Sequence, residues 1–482
     1  MTESKTYGRV YTPKFLVDTI LDHTEYNSYE NIVGKHIIDN SCGNGAFLTE
    51  IVNRYCKVFN GTIEELAEHL QTYIHGIEID KDERDKCIVN LNKVVSLYGI
   101  SSVKWDVLCA DTLSVSSYNS NMDYVVGNPP YVRVHNLESS YENVKTYKFA
   151  NGGMTDLYLV FFEIGFNMLK PNGQMCYITP SSWLNSVAAD NLRRYIINAQ
   201  NLTSLIDLEH FQAFDKITTY TLISHFKRSH NRNSFNYYTY NSKDNCCDFV
   251  ECLSLQDAYI DSCFYLGRKR DLAMLSNIKT TKCPKYVSVK NGFATLADKV
   301  FIGDFDFTEG TIDILKASTG KWSKCIYPYD KKGKPLPLKD FMNNTEAYNH
   351  LLSHQDKLSK SRDIEDDKFW YLFGRTQALK DVSKVKYAIN TLIKDKGSIK
   401  LECVPLGAGI YSGLYILTDI EFETIKQLVY SEDFINYVKL LKNYKSGGYY
   451  TFASKDLEQY LNYKLSEKYG QSRISNGSRE LF

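Results

Sequence analysis

Short apolar runs that end in polar or glycine-rich turns recur through the first half of the chain. His36-Ile37-Ile38-Asp39 predicts a buried parallel strand and Asn40-Ser41-Cys42-Gly43-Asn44-Gly45 the turn after it. Phe47, Leu48, Ile51 and Val52 then recur at helical spacing. Tyr73 to Asp80, Val103 to Cys109 and Tyr124-Val125-Val126 predict three more strands. Thr12-Pro13 predicts a helix start with a Thr cap and Pro in the first helical position. Gly61 to Thr72 predicts an inserted helix. Asp156 to Lys170 carries Leu157, Val160, Phe161, Ile164 and Met168 on one stripe, with Pro171-Asn172-Gly173 stopping it. Gln174 to Ile178, the β-branched stretch after Phe214-Asp215, and Phe235 to Tyr240 read as later strands. Strands alternating with helices predict an α/β fold around a mostly parallel sheet.

The turns carry the candidate chemistry. A glycine turn between strand and helix lets a ligand approach the backbone, with helix N–H groups facing it. The dinucleotide fingerprint is absent, because Ala-Phe-Leu follows Gly43-Asn44-Gly45 where a third glycine is needed. The second strand ends at Glu78, Ile79 and Asp80, whose carboxylates suit a ribose diol, and Asp111-Thr112 follows the third. After the fourth come Gly127-Asn128-Pro129-Pro130-Tyr131. Asn128 supplies a side-chain carbonyl, the Pro129–Pro130 peptide a carbonyl without an N–H, and Tyr131 a flat aromatic face. Two acceptors beside a stacking ring are what an exocyclic amine on a heterocyclic base needs to become a nucleophile. Its lone pair is otherwise delocalised into the ring. Four such turns in order at strand C-termini mark the ligand-binding edge of an open α/β sheet.

These residues resemble the amino-methyltransferases of DNA, of the adenine-N6 type. Asp39, Cys42, Gly43 and Gly45 match the family's S-adenosylmethionine loop, Glu78 with Ile79 its ribose-binding strand end, and Asp111 with Thr112 its adenine-binding turn. Asn128, Pro129, Pro130 and Tyr131 match the catalytic tetrapeptide, with Asn128 and Pro130 also bordering the cofactor. Tyr7 to Pro13, including Tyr11, Thr12 and Pro13, resembles the motif that packs over the methionine end. Its N-terminal place resembles the gamma arrangement of restriction-modification enzymes. The resemblance implies a seven-stranded, doubly wound methyltransferase sheet over residues 1–245 and a mixed α+β target-recognition domain over 246–482. Phe214 matches the aromatic residue bordering an extruded base, with Phe211 a nearby competitor. Asn40 stands where the family often has proline, which predicts a less rigid turn.

Length and charge complete the picture. A chain of 482 residues predicts two or three domains. No 18-residue apolar run and no apolar leader follow Met1, so a cytoplasmic protein is expected. The 12 cysteines are scattered, Cys246-Cys247 is no zinc knuckle, and no metal is expected. Net charge is zero, yet residues 1–250 carry about −6 (22 basic, 28 acidic) and 251–482 about +6 (35 basic, 29 acidic). Basic groups gather at Arg268-Lys269-Arg270, at Lys279, Lys282, Lys285 and Lys290, and from Lys321 to Lys339, as phosphate contact requires. Arg375 and Gln377, and Lys445 with Gly447-Gly448, resemble specificity-domain features, since Arg and Gln can pair with base edges and a Gly-Gly turn admits a close approach.

The expected activity is methyl transfer to adenine N6 of a flipped base in duplex DNA, with a cognate endonuclease conceivable on a separate chain. Cytosine-N4, RNA and protein-glutamine methyltransferases share the tetrapeptide and remain alternatives, as does a catalytically inactive specificity subunit.

Overall fold

The computed structural model describes residues 11–133, 144–150, 155–214, 219–360 and 367–477. Tyr7 to Val10 of the expected N-terminal motif lie outside them. The chain divides into two compact units, Met1–Met274 and Leu275–Phe482.

The first unit is built on one sheet of β1 (Ile37–Asp39), β2 (Ile74–Glu78), β3 (Asp106–Cys109), β4 (Met122–Gly127), β5 (Leu169–Pro180), β6 (Leu202–Asp207), β7 (Thr221–Lys227), β8 (Ser234–Asn241) and β9 (Cys246–Ser254). The order is β3-β2-β1-β4-β5-β7-β6-β8-β9. Strands β3 to β5 pair in parallel, and β7 runs antiparallel between β5 and β6. Chain order proceeds outward from β1 through β2 to β3, then returns to β4 on β1's other side. That reversal opens a crevice beyond the C-terminal ends of β1 and β4, where ligands bind in such sheets. β1 is fully buried and β2 nearly so, as parallel strands covered on both faces must be.

Helices fill those faces. Ala46–Val58 buries Phe47, Leu48, Ile51 and Val52, the predicted stripe. The expected inserted helix is Ile63–Tyr73, started by a capping box in which Thr62 accepts from the Glu65 N–H and Glu65 from the Thr62 N–H. Lys81–Ser96 starts at Asp80, whose carboxylate accepts from the Asp82 and Glu83 N–H groups.

Several expectations need correction. The first helix runs Lys14–His23, and Thr12 makes no cap hydrogen bond to it. The helix expected to reach residue 170 is Leu157–Met168, since β5 takes over at Leu169 and draws Pro171-Asn172-Gly173 into its irregular start. The sheet has nine strands among the described residues rather than seven, because β8 joins β6 in parallel and β9 pairs antiparallel with β8. A boundary at residue 245 would cut the β8–β9 hairpin, and the first compact unit reaches Met274.

The second unit mixes helices with small sheets. One contains Val287–Asn291, Leu414–Thr418, Lys386–Ile389 and Leu401–Val404, and another Ile302–Gly303, Lys321–Ile326, Thr311–Lys316 and Gly409–Tyr411. Phe293, Phe301, Tyr327, Tyr329 and Phe373 form an aromatic core. The long helix Ser454–Gly477 secures the edge strand Val287–Asn291, with Asn462 accepting from the Tyr286 and Val287 N–H groups and Glu458 from that of Val289.

Candidate active site

The loop after β1 is shaped by two glycines with positive φ, Gly43 (53°) and Gly45 (89°). A Cβ on Gly45 would lie 2.7 Å from the Cys87 sulfur, so a larger residue there would have to displace that buried thiol. The Gly43 N–H donates to Glu78 Oε2 at 2.9 Å, and the Asp80 N–H donates to Glu78 Oε1 at 2.9 Å. The Glu78 carboxylate is thereby fixed at the mouth of the loop, and Ile79 beside it is 51 % exposed. Asp111 Oδ1 accepts the Leu113 N–H at 3.0 Å, which aims that carboxylate from the next turn.

Thr112 behaves differently from the expectation of cofactor contact. It is buried, and its hydroxyl donates to the Asn40 carbonyl at 2.7 Å, tying the β3 turn to the loop after β1. Asn40 corrects a second expectation. Its side-chain carbonyl accepts from the Tyr177 hydroxyl at 3.0 Å while its backbone carbonyl holds Thr112, and the residue is fully buried. The rigidity a proline would give locally comes from these contacts. Cys42 is a buried packing residue whose thiol is pushed well above its usual range, the neighbouring Cys87 thiol and burial both acting, which makes it inert as a nucleophile.

Asp39 is buried at the end of β1. Its Oδ1 accepts the Ser41 N–H at 3.0 Å. Burial pushes its carboxyl up to about 7; the Ser41 N–H opposes the rise and the Glu78 charge adds to it. Gly127, the residue before the tetrapeptide, lies against this group: a Cβ there would meet Asp39 Oδ1 at 2.7 Å.

The tetrapeptide is tied to both earlier motifs. The Asn128 amide Nδ2 donates to the Thr12 hydroxyl at 3.2 Å, and the Asn128 backbone carbonyl accepts from the Ser41 hydroxyl at 3.3 Å. The hydroxyl expected to cap a helix therefore orients the Asn128 amide. Tyr131 donates from its hydroxyl to the Ile178 carbonyl at 3.2 Å, and its ring meets Phe214 edge-on at 6.2 Å and 68°. A second edge contact comes from Tyr158 at 6.5 Å. Phe211 instead packs on Phe15 and Tyr240, so of the two phenylalanines it is Phe214 that lies against Tyr131. Tyr11 is exposed and donates to Glu83 at 3.0 Å, and Pro13 precedes the first helix. Sequence reasoning missed Ser41 and Gly127 as site residues. A glycine next to Asn128 at a strand end was the available signal.

The donor set fits an S-adenosyl cofactor. Space is open beyond Gly43, where a Cβ would touch nothing within 4 Å, and fixed carboxylates stand at the ends of β2 and β3, suited to a diol and an aromatic amine.

The basic groups divide on inspection. Lys279 pairs with Asp456, Lys285 with Glu458 at 3.5 Å and Lys290 with Asp381 at 2.7 Å, so three members of the expected phosphate cluster brace the second unit internally. Gln377 donates one amide N–H to the Gly292 carbonyl, which holds its side chain from within the second unit. Arg268, Lys269 and Arg270 are exposed at the start of Lys269–Thr280, with Arg270 beside Asp271 at 3.4 Å. Lys445 is exposed, and Gly447 and Gly448 adopt positive φ of 77° and 78°, with the Gly447 carbonyl accepting from Lys394 at 3.3 Å. Arg375 is exposed and has no ion-pair partner among the described residues, and the same holds for Lys331, Lys332 and Lys334.

Comparison with known proteins agrees with this geometry. Residues 49–214 match the family model of the Eco57I restriction-modification methylase. The type II methyltransferase M.BstVI of Geobacillus stearothermophilus is 29 % identical over 235 residues, covering 45 % of this chain and 42 % of that protein. The restriction enzyme and methyltransferase RM.Eco57I of Escherichia coli is 23 % identical over 485 residues, covering 77 % of this chain and 48 % of that protein. The chain thus spans about half the length of these relatives, or less. Among solved structures, the type IIL restriction-modification enzyme MmeI in complex with DNA shares the fold with a TM-score of 0.64 at 12 % identity, covering 92 % of this chain and 63 % of that one. The DrdV–DNA complex gives 0.52 at 13 % identity, covering 86 % and 49 %. Over residues 49–214 the chain is thus similar to the Eco57I restriction-modification methylases, and this likeness to methyltransferases supports S-adenosylmethionine as the cofactor.

Proposed function

We propose that the protein methylates the N6 amine of an adenine flipped out of duplex DNA, as the modification activity of a restriction-modification system. The observation that carries this is the tethering of Asn128 to Thr12 and Ser41, which presents the tetrapeptide's acceptors at the mouth of the loop after β1. In this account Gly43, Gly45, Glu78, Ile79 and Asp111 hold the cofactor. When bound, S-adenosylmethionine supplies an electrophilic sulfonium methyl, and its neutral thioether leaving group makes a strong base unnecessary.

The chain's own groups do the rest. Tyr131 stacks on the extruded base while its hydroxyl stays on Ile178, and Phe214 limits the base's movement. The Asn128 side-chain carbonyl and the Pro129 carbonyl accept the two amino hydrogens and free the nitrogen's lone pair. Thr12, by engaging Nδ2, keeps the Asn128 carbonyl oxygen turned the other way. Good alignment of two reactants is worth ~7–11 kcal/mol of barrier, and a tethered acceptor pair supplies such alignment. Extruding the base costs a few kcal/mol, recovered through contacts from the second unit, which acts as the target-recognition domain. The DNA complexes of MmeI and DrdV, whose fold this chain shares, support duplex DNA as the partner. RM.Eco57I, which joins both activities in one protein, supports an associated endonuclease.

Incubation with tritiated S-adenosylmethionine and unmethylated duplex DNA, followed by nucleoside chromatography, tests the proposal. Label is expected in N6-methyldeoxyadenosine. Label in N4-methyldeoxycytidine would overturn the choice of base, and label in RNA or protein alone would overturn DNA as substrate.

A further inference from the structure

Leu296 stands apart among the described residues. It is a non-glycine residue with positive φ (58°), and the others of that kind are polar or Ala378. A β-turn position of this sort favours Gly or Asn, because an L side chain crowds its own carbonyl there. Burial offsets the strain only in part, since Leu296 is 51 % exposed and its covered face lies on Gly374. Strain of this kind persists where it serves a site.

The surroundings hold it firmly. The Gly374 N–H donates to the Thr295 carbonyl at 3.0 Å and the Arg375 N–H to the Ala294 carbonyl at 3.2 Å. Thr295 is fully buried, with its hydroxyl on Asp298, and accepts the Ala297 N–H at 3.0 Å. Leu296 lies over the backbone of Gly374, where a Cβ would come within 2.6 Å of Leu296 Cδ1. The loop thus fixes an exposed apolar side chain beside an exposed guanidinium that has no carboxylate partner among the described residues. The turn at 330–334 carries charge of its own around Asp330, whose carboxylate accepts the Lys332 and Lys334 N–H groups. Gly333 packs so closely on Leu379 that a Cβ would lie 2.6 Å from its carbonyl carbon, and Lys331, Lys332 and Lys334 project from that turn.

We propose that Leu296 and Arg375 form one reading element for duplex DNA. Leu296 presents apolar surface to a base edge, such as a thymine methyl, and Arg375 donates to the adjoining base or phosphate. Charge selects the partner: an exposed guanidinium with no ion-pair partner among the described residues suits a polyanion, and an apolar tip beside it suits the groove of one. The inference rests on DNA being the substrate.

The test uses the full chain with Leu296→Asn, a residue of similar size that tolerates positive φ, and Arg375→Gln. Methylation of cognate duplex is compared with duplexes substituted one base pair at a time, alongside thermal melting. Leu296→Asn is expected to melt no lower than wild type yet lose roughly tenfold in discrimination at one or two base pairs, and Arg375→Gln to lose discrimination at the same or the adjoining pair. If wild type methylates DNA and both variants keep its full discrimination, this inference falls while the proposed function stands. If wild type modifies no DNA under any condition, both fall. A Leu296→Asn variant that melts well below wild type with unchanged discrimination would show that leucine serves the fold and overturn the inference.

Discussion

Replacing Gly127 with alanine probes the joint between the cofactor loop and the tetrapeptide. The added Cβ would lie 2.7 Å from Asp39 Oδ1, well inside ordinary van der Waals contact. That oxygen is not free to retreat, because it accepts the Ser41 N–H at 3.0 Å. Gly127 also sits at φ 152°, a conformation that L side chains rarely adopt. Overpacking of this kind costs about 1–3 kcal/mol and the backbone strain about as much again, so a loss of ~2–6 kcal/mol is expected. Relief can come only by shifting Asp39, which carries Ser41, or Asn128, which Ser41 holds. Single-turnover methyl transfer should therefore fall by on the order of 100-fold, since misplacement by about 1 Å has that effect on aligned reactants. The assay is rapid-quench transfer of labelled methyl to duplex DNA, with cofactor affinity from isothermal titration and melting by calorimetry. Adding Asp39→Ala should recover part of the lost stability, a coupling measurable by a double-mutant cycle. A Gly127→Ala protein with wild-type transfer rate and melting temperature would refute the steric reasoning.

Other outcomes follow from the same geometry. Tyr131→Ala should weaken base capture by about 1–3 kcal/mol, read from 2-aminopurine fluorescence at the target, whereas Tyr131→Phe keeps the ring and loses only the bond to Ile178. Asp39, raised to about 7 by burial, is still protonated in the fold at pH values where the unfolded chain has ionised; its stabilising effect is full below its ordinary value near 3.8 and is lost as pH rises through 7. Asp39→Asn should thus melt near wild type only below about pH 4 and increasingly above it as pH rises to 8.5, and a constant difference across that range would count against a buried, ionising carboxyl. Asp381 behaves oppositely. Burial would raise it, but hydrogen bonds from Lys290, Lys384 and Tyr415 hold it at about 2, so its contribution is present above its ordinary value and lost as pH falls toward 2. Asp381→Asn should lower stability at pH 7 by ~3 kcal/mol, since it leaves Lys290 and the buried Lys386 without their anion, and the deficit should shrink under acid in urea titrations.

The sheet edge was legible because each strand that feeds it announces itself twice, by an apolar run and by the turn that follows. Glu78, Asp111 and Asn128 could be located in sequence for the same reason. The ties between turns could not. Thr12 reads locally as a cap, and only the meeting of residues 116 apart makes it a partner of Asn128. Asn40 reads as a weak substitute for proline until Tyr177 and Thr112 are seen to lock it. The β8–β9 hairpin was half visible, since Phe235 to Tyr240 reads as a strand, but Cys246–Ser254 alternates too little in burial to signal one. Lysine counts misled most. Charge along the chain does not show which cations already face carboxylates, and Lys279, Lys285 and Lys290 do.

The central claim, that the tethered Asn128 activates the amino group of the base, is tested most directly by Asn128→Ala beside wild type in one single-turnover experiment. Cofactor affinity should stay within a few-fold while methyl transfer to duplex DNA falls by at least about 100-fold, the scale seen when a positioned acceptor or donor is removed from a reaction centre. Transfer at the wild-type rate by a folded, cofactor-bound Asn128→Ala protein would contradict the account.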